Sequence, residues 1–220
     1  MSHESGELNE VEITRRTYDK IAEDYVRNLK DPYLGGSAAY HEMAIDRFVS
    51  LLPSSQARIL DVGCGFGHDL GYFLAKKLNI CGIDISRSML SLARRNFPAA
   101  MLCQMDMRWL NFNPESFGGV WAAHCLYHIP RRDIGQVIGG ISYVLQPQGA
   151  FFCSLKLGEG EGVYTDRQAA SYPGEPRFYA LYTESEAREM LGDFDIVEWD
   201  VKPEIYYGSS WLYVWLKKPG

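Results

Sequence analysis

The sequence predicts an α/β fold in which helices cover both faces of a mostly parallel sheet that ends in an antiparallel hairpin. Apolar segments typical of strands alternate with amphipathic segments typical of helices through the middle of the chain. Such alternation is typical of parallel sheets with crossover helices. Two β-rich runs follow, at residues 194–201 and 210–218. The connection between them is short, which indicates an antiparallel pair.

The alternating pattern runs from residue 57 to residue 155. The predicted strands are residues 57–62, 79–84, 100–104, 118–124 and 149–155. The predicted helices between them are residues 68–78, 86–97 and 132–145. Ser86 is a good N-cap for the second of these helices, and Arg94 and Arg95 suit the negative end of its dipole.

The flanking segments have a different character. Two helical stretches, at about residues 11–28 and 38–51, surround the breaker sequence KDPYLGG and predict a helical cap. After the last parallel strand, GEGEG at 158–162 and SYPGEP at 171–176 have the composition of loops. A further helix is predicted at 183–192, before the hairpin.

Composition narrows the possible functions. A chain of 220 residues fits one domain with a full-sized core. No apolar run approaches the roughly 20 residues needed to span a membrane, and the polar N-terminal sequence has no signal-peptide core. The formal net charge of −6 argues against a nucleic-acid partner, which usually needs a basic face.

The cysteines indicate a cytoplasmic protein. Their number, five, is odd, and no pair has the CxxC spacing of a metal or redox site. We interpret them as small core residues in a reducing cytoplasm. They are Cys64, Cys81, Cys103, Cys125 and Cys153.

The sequence ILDVGCGFGHDL places three glycines at alternate positions directly after the first predicted strand. A glycine turn at this edge of a parallel sheet lies where ligands bind, and it lets the backbone approach them closely. The turn does not fit the dinucleotide fingerprint GxGxxG, because His68 replaces the third glycine and Asp69 would repel a pyrophosphate. Asp61, at the end of the strand, could instead meet a cationic group such as an amino-acid ammonium.

Several segments in order resemble class I S-adenosylmethionine-dependent methyltransferases. ILDVGCGFG resembles the first motif, CGIDISRSML the second strand, CQMDMRWL the third, and FGGVWAAHCLYHIP the fourth with its loop. YVLQPQGAFFCSLK resembles the fifth strand and its preceding turn, although Gln148 replaces the first glycine of the usual Leu-x-Pro-Gly-Gly. YDKIAEDYV resembles the N-terminal helix that closes over the cofactor in many small-molecule members. The similarity covers most of residues 14–218.

The resemblance implies a Rossmann-like three-layer sandwich around a seven-stranded sheet. It implies S-adenosylmethionine as the cofactor and S-adenosylhomocysteine as the product. It also divides the single domain into a helical cap (residues 1–56), a cofactor-binding core (57–157) and a substrate loop with the C-terminal hairpin (158–220).

The resemblance further implies roles for individual residues. Asp84, at the end of the second strand, would hold both ribose hydroxyls, since one carboxylate can accept from both. Asp106 would contact the adenine amino group, and Met107 would neighbour the ring. The predicted cofactor-binding residues are Tyr25, Asp61, Gly63, Cys64, Gly65, Gly67, Asp84, Ile85, Met89, Asp106, Met107 and His124.

The methyl donor of this family is already activated, so catalysis needs mainly alignment and, for some acceptors, a general base. Candidates near the methyl group are His124, Tyr127 and His128, with Tyr18 and Tyr25 on one side of the N-terminal helix. We predict His124, His128 and Tyr18 as catalytic residues. The spacing of the two histidines resembles a metal pair, but no third ligand stands nearby in the sequence, so no metal is predicted.

The predicted acceptor is a small molecule that binds between the N-terminal helix and the loop 158–176. A tRNA or protein methyltransferase is an alternative, as are a nicotinamide-dependent oxidoreductase and a non-catalytic cofactor-binding module. Glu159 and Glu161 would favour a cationic acceptor if their loop binds it. Five aromatic residues either line the acceptor pocket or pack in the core: Tyr164, Tyr172, Phe178, Tyr179 and Tyr182.

Overall fold

The computed structural model describes residues 9–28, 36–165, 174–203 and 210–220. The helices are α1 (Glu10–Asn28), α2 (Ala38–Ser50), α3 (His68–Ala75), α4 (Arg87–Asn96), α5 (Arg131–Val144) and α6 (Glu184–Met190). The strands are β1 (Arg58–Val62), β2 (Asn79–Asp84), β3 (Met101–Gln104), β4 (Phe117–Ala122), β5 (Leu145–Leu157), β6 (Glu161–Tyr164), β7 (Arg177–Ala180), β8 (Asp195–Pro203) and β9 (Ser210–Lys217). A 3₁₀ turn spans Leu126–His128.

The main sheet has seven strands in the order β3-β2-β1-β4-β5-β9-β8. β1 to β5 pair in parallel, and β9 lies between β5 and β8, antiparallel to both. The predicted α/β fold with a mostly parallel, seven-stranded sheet and an antiparallel end is therefore confirmed. None of the described helices is both long enough and apolar enough to cross a membrane.

Local capping fixes several helix ends where the sequence predicted them. The Oγ atom of Ser86 accepts a hydrogen bond from the backbone N of Met89 at 3.2 Å, at the start of α4. Thr183 and Glu186 form a reciprocal capping box at the start of α6. Gln148 adopts a φ of +61°, so the residue in place of the family's glycine keeps the backbone conformation that glycine favours.

The segment 158–176, predicted as loop, contains β6, which pairs with β7 in a separate two-stranded sheet. The loop prediction was wrong for β6 because GEGEGVY is rich in glycine, which is depleted in strands. The pairing partner, Arg177–Ala180, comes from beyond the loop and supplies the hydrogen bonds that local propensity does not. Residues 166–173, including Tyr172, lie outside the described residues.

The two N-terminal helices have different positions. α2 packs on one face of the sheet, where Ile45 and Phe48 are fully buried and the Trp215 indole donates to the Ala44 carbonyl at 3.1 Å. α1 instead lies across the carboxyl edge of the sheet. Its Asp19 accepts hydrogen bonds at the start of α4, from the Ser86 hydroxyl at 2.7 Å and the backbone N of Ser88 at 3.0 Å.

α1 also contacts the small β6–β7 sheet. The Thr14 hydroxyl accepts from the backbone N of Phe178 at 3.0 Å, and the Thr17 hydroxyl donates to the Pro176 carbonyl at 2.5 Å. These bonds join the helix to the segment that follows the last parallel strand. α1 and the small sheet therefore meet above the same edge of the main sheet.

Four of the five cysteines are buried, as expected for core residues, but Cys103 is exposed. The expectation was wrong for Cys103 because β3 is an edge strand with little burial on either face. All five cysteines are free thiols.

Candidate functional site

A cleft lies at the carboxyl edge of the sheet, where the strand order reverses between β1 and β4. Its lining residues are Val11, Thr14, Tyr18, Tyr25, His41, Asp61, Gly63, Cys64, Gly65, Phe66, His68, Asp69, Ile83, Asp84, Ile85, Met89, Met105, Asp106, Met107, Ala123, His124, Cys125, His128 and Ile129. Every site residue predicted from the sequence is among them except Gly67. The structure thus brings these residues together, while the role assigned to each one stays a prediction.

The structure explains in different ways why glycine occupies each of the three positions after β1. Their φ angles of +70° (Gly63), +52° (Gly65) and +89° (Gly67) all favour glycine. A Cβ at Gly63 would lie 2.5 Å from the Cβ of Cys125, and one at Gly67 would lie 2.9 Å from the ring of Phe97. A Cβ at Gly65 would meet nothing within 4 Å. Packing requires Gly63 and Gly67, whereas Gly65 leaves the backbone open beside the cleft.

Asp61 is a buried acid in this cleft and is only 2% exposed. Its Oδ2 has no hydrogen-bond partner in the described part of the chain. Burial raises its pKa well above the usual range, and the charges of Asp69 and Asp84 raise it further. Because a buried carboxylate oxygen without a donor is costly, this position favours a cationic donor such as an ammonium group.

Asp84 is held between the glycine turn and the start of α4. The backbone N of Gly65 donates to Oδ2 at 2.8 Å, and the backbone N of Ser86 donates to Oδ1 at 2.7 Å. Burial is the main cause that raises the pKa of Asp84 to about 6, while these two donors oppose the shift. Each carboxylate oxygen has two lone pairs, so both can still accept from hydroxyl groups in the cleft.

Asp106 lines the cleft but already faces a cation. The Arg108 guanidinium donates to both of its carboxylate oxygens, with Nη2 at 2.7 Å from Oδ2. A second acid, Asp133, accepts from the same guanidinium at 3.1 Å. An adenine amino group would therefore share the Asp106 carboxylate with Arg108. The sequence shows Arg108 two residues away but does not reveal this contact.

A group of His41, His68 and Asp69 also lines the cleft and was not predicted. Its potential ligand atoms lie within 4.8 Å of one another, a spacing that could hold a metal ion. His41 Nε2 lies 3.2 Å from Asp69 Oδ1, and the Trp121 indole donates to Oδ2 at 2.6 Å. Burial would raise the pKa of Asp69, but these hydrogen bonds outweigh it and lower the pKa. Asp69 is thus a partly buried, hydrogen-bonded acid.

His128 lies at the opposite side of the cleft in a chain of hydrogen bonds. Its Nδ1 lies 2.7 Å from the Phe178 carbonyl, and its Nε2 lies 3.0 Å from the Tyr18 hydroxyl. Burial lowers the pKa of His128 to about 3, and the positive charges of Arg177 and Lys156 contribute. The ring is therefore neutral, donating from Nδ1 and accepting at Nε2. A group of such low pKa positions Tyr18 but is a weak base.

His124 follows β4 with a φ of +52°. Its backbone N donates to the Ser154 hydroxyl at 2.7 Å, which fixes this conformation. Its ring stacks on Trp211, with the ring centroids 4.4 Å apart and the planes at 29°. His124 thus presents an imidazole at the cleft on an aromatic support from β9. The metal-like group found among the described residues includes neither His124 nor His128.

The described acidic and aromatic candidates are not among the residues that line this cleft; they are Glu159, Glu161, Tyr164, Phe178, Tyr179 and Tyr182. A Glu161 carboxylate oxygen accepts from the backbone N of Arg131 at 2.7 Å, at the start of α5. Phe178, Tyr179 and Tyr182 are buried. Glu161 therefore caps a helix in this structure.

Residues 59–149 match the family model described as a methyltransferase domain. The chain is 33% identical over 104 residues to methyltransferase GfsG of Streptomyces halstedii, covering 44% of this chain and 36% of that protein. The solved structure of the [4+2]-cyclase SpnF superposes with a TM-score of 0.72 at 17% identity, covering 96% of this chain and 97% of that chain. The 1,6-didemethyltoxoflavin-N1-methyltransferase of Burkholderia thailandensis, solved with 1,6-didemethyltoxoflavin and S-adenosylhomocysteine, has a TM-score of 0.63 at 22% identity, covering 98% and 93%.

The comparisons confirm the resemblance seen in the sequence motifs. At these identities the two solved structures show the fold alone. The chain spans 36% of the length of GfsG and 60–62% of two other curated methyltransferases that it matches.

Proposed function

We propose that this chain, a class I S-adenosylmethionine-dependent methyltransferase, transfers the methyl group to a nucleophilic atom of a small molecule. The observation that carries the proposal is the pair of acids on either side of the glycine turn, buried Asp61 and partly buried Asp84. Asp61 has a carboxylate oxygen, Oδ2, with no donor among the described residues, and each oxygen of Asp84 accepts one backbone hydrogen bond and has a second lone pair. These acids fit the ammonium and the ribose hydroxyls of the cofactor.

The remaining lining residues suit the rest of the cofactor. Ile85, Met89 and Met107 offer apolar surface beside the acids, as an adenine ring requires. Gly65 places no side chain between the turn and the ligand. The bound cofactor supplies a sulfonium methyl group that needs no further activation. This chain's residues bind that group, orient the acceptor and exclude water.

We propose that α1 and the β6–β7 sheet cover the acceptor, which faces His124 and His128. Two threonines and one aspartate of α1, Thr14, Thr17 and Asp19, form hydrogen bonds to both sides of the cleft. We propose the same three parts of the domain as the sequence predicted. Residues 1–56 contain the covering helix α1, residues 57–157 form the cofactor-binding core, and residues 158–220 contain the β6–β7 sheet, which is the second cover. His124 is the candidate to contact the acceptor, and His128 positions Tyr18.

A small acceptor is supported by the chain's relatives and by its charge. The Burkholderia thailandensis neighbour is named as a methyltransferase of 1,6-didemethyltoxoflavin, a small molecule. The net charge of −6 disfavours tRNA, and the five thiols fit a cytoplasmic protein. Sub-micromolar, salt-sensitive tRNA binding in a gel-shift assay would favour the nucleic-acid alternative instead.

Calorimetry with S-adenosylhomocysteine tests the proposal. We expect binding by the wild-type protein and a loss of about 2 to 3 kcal/mol for Asp84→Ala, from removal of charge-assisted hydrogen bonds. Asp195→Ala, at an exposed position on β8, is the matched control and should bind as the wild type does. Unchanged affinity in Asp84→Ala would contradict the role of Asp84. Tight binding of NADH with no response to S-adenosylmethionine would overturn the proposal.

A further inference from the structure

We propose that His41, His68 and Asp69 form a site for one divalent transition-metal ion of the zinc class. We call these three residues the His–His–Asp group. They come from two helices, with His41 on α2 and with His68 and Asp69 in the first turn of α3. The group includes neither His124 nor His128, which the proposed function places beside the acceptor. The inference does not depend on the proposed methyl transfer.

The three side chains are close enough to share one ion. One potential ligand atom of each lies within 4.8 Å of those of the other two. His41 Nε2 and Asp69 Oδ1 are 3.2 Å apart, and the ring centroids of His41 and His68 are 5.1 Å apart. Zinc bonds of about 2.0 to 2.2 Å in tetrahedral geometry place neighbouring ligand atoms roughly 3.3 Å apart. His41 and Asp69 already have that separation, and a small movement of His68 completes the set.

The fold holds the group in place from several sides. α2 packs against α3, which brings His41 to the first turn of α3. The Trp121 indole, on β4, donates to Asp69 Oδ2 at 2.6 Å, while Oδ1 faces His41. Tyr72 packs edge-on against both histidine rings, with centroid distances of 4.9 and 5.6 Å. Hydrogen bonds that orient a ligating carboxylate, as the Trp121 indole does here, are typical of metal sites in proteins.

The charge of the cleft favours a cation at this position. Four aspartates line the cleft, and in the described part of the chain only Asp106 pairs with an arginine. No lysine or arginine is among the described residues that line it. The charges of Asp69 and Asp84 raise the pKa of Asp61, which reflects repulsion between these acids. A divalent ion bound to Asp69 would reduce that repulsion.

The kinds of ligand atom indicate the class of metal. Imidazole nitrogen suits Zn²⁺ and neighbouring transition metals, whereas Mg²⁺ and Ca²⁺ prefer oxygen ligands. Two imidazoles and one carboxylate leave at least one coordination position for water or another ligand. All three residues line the cleft, so an ion reaches the group through the cleft and the remaining position faces it.

Titration with Co²⁺ tests the proposal, because Co²⁺ in a site of four or five ligands absorbs visible light more strongly than hydrated Co²⁺. Every protein carries Cys103→Ser, since Cys103 is an exposed thiol that could bind the ion. We expect one Co²⁺ per chain, displaced by one equivalent of Zn²⁺. His41→Gln, His68→Gln and Asp69→Asn should each weaken Co²⁺ binding by at least about tenfold.

The controls separate this site from other ligands in the chain. His124→Asn removes another histidine that lines the cleft, keeps a residue type that tolerates a positive φ, and should bind Co²⁺ as strongly as the parent protein does. Circular dichroism checks the fold of each variant. His41 is almost completely buried, whereas His68 is only partly buried, so His68→Gln decides the test if His41→Gln does not fold.

Three results would overturn the inference. They are no Co²⁺ binding at millimolar concentration, unchanged Co²⁺ affinity in His68→Gln and Asp69→Asn, and a near-ultraviolet sulfur-to-cobalt band, which would identify a thiolate ligand instead. The titration is carried out without cofactor. Binding of S-adenosylhomocysteine is measured separately in the presence of a chelator, so failure there would contradict the proposed function and leave the metal site standing.

Discussion

The two ends of the cleft are built in different ways. The acid end, Asp61 and Asp84 with the glycine turn, comes from two consecutive strands and the turns that follow them. The cation end, which we define as Lys156 and Arg177 with the rings of Tyr18, Tyr179 and Trp211, lies beside the cleft and reaches it through Tyr18. It combines α1, the 3₁₀ turn, β5, β7 and β9. Local strand–turn–helix geometry determines the acid end, whereas pairing between distant segments determines the cation end.

The two ends also differ in how the described residues satisfy their charges. Asp61 has a buried oxygen without a donor, and its pKa is raised by burial and by neighbouring acids. At the cation end, aromatic rings lie within 6 Å of both Lys156 and Arg177. We therefore expect a cationic ligand at the acid end to stabilise the protein. We expect substitution of Asp61 to affect stability and cofactor affinity in opposite directions.

Gly63→Ala and Gly65→Ala separate packing from ligand approach at the acid end. Gly63→Ala should lower the free energy of unfolding by about 3 kcal/mol, because a Cβ would overlap Cys125 and the φ is positive. Gly65→Ala has the positive φ without the overlap and should cost only about 1 kcal/mol. Urea denaturation measures both. Equal losses would show that the clash at Gly63 relaxes at no cost.

The stability of the free protein should depend on pH through Asp84. Its pKa rises from 3.8 to about 6 on folding, so the folded state holds its proton more tightly. The resulting stabilisation is present below about pH 4 and is lost as the pH rises through about 6. It amounts to about 2 to 3 kcal/mol.

Urea denaturation of wild type and Asp84→Asn between pH 4 and pH 7 measures the contribution of Asp84 to the free energy of unfolding. The difference between the two proteins isolates Asp84 from surface acids such as Glu12 and Glu186, whose pKa values are lowered. If the difference does not vary with pH, Asp84 ionises normally in the folded protein.

Asp61→Asn should weaken binding of S-adenosylhomocysteine by about 2 kcal/mol, or about 30-fold, through loss of a charge-assisted bond. The same change should raise the melting temperature of the free protein, because a neutral amide replaces a buried acid close to Asp69 and Asp84. Calorimetry and thermal denaturation measure the two effects. A lower melting temperature would show that burial of the Asp61 acid beside Asp69 and Asp84 does not destabilise the free protein.

Tyr18→Phe tests the independence of the two ends with the smallest expected effect. It removes the hydroxyl bonded to His128 and should lower the free energy of unfolding by about 1 kcal/mol. Affinity for S-adenosylhomocysteine should change less than twofold. Tyr143→Phe, at an exposed tyrosine of α5, is the control and should change neither quantity. A large loss of cofactor affinity would show that the two ends are coupled.

The difference between local geometry at the acid end and distant pairing at the cation end explains what could be predicted from the sequence. Periodicity and short connections predict the mostly parallel sheet with its antiparallel hairpin, and the family resemblance implies seven strands. Strand ends followed by glycine or an acid indicate the acid end. Lys156 could not be found because a lysine in an apolar strand does not show which rings it will contact. Arg177 and the β6–β7 sheet depend on a partner strand that local sequence does not indicate. Likewise, His41 meets Asp69 only because α2 packs against α3.

The position of β9 has a consequence for synthesis of the chain. β9 pairs with β5 along Ala150–Leu157 and separates it from β8, so the residues of the strand that is synthesised after the other six occupy an internal place in the main sheet. Until they emerge, the edge of β5 has no strand of the main sheet beside it and exposes apolar residues such as Phe151 and Phe152. An uncovered apolar edge favours aggregation during folding. We therefore expect a chain that stops before residue 210 to aggregate more readily than one that includes β9.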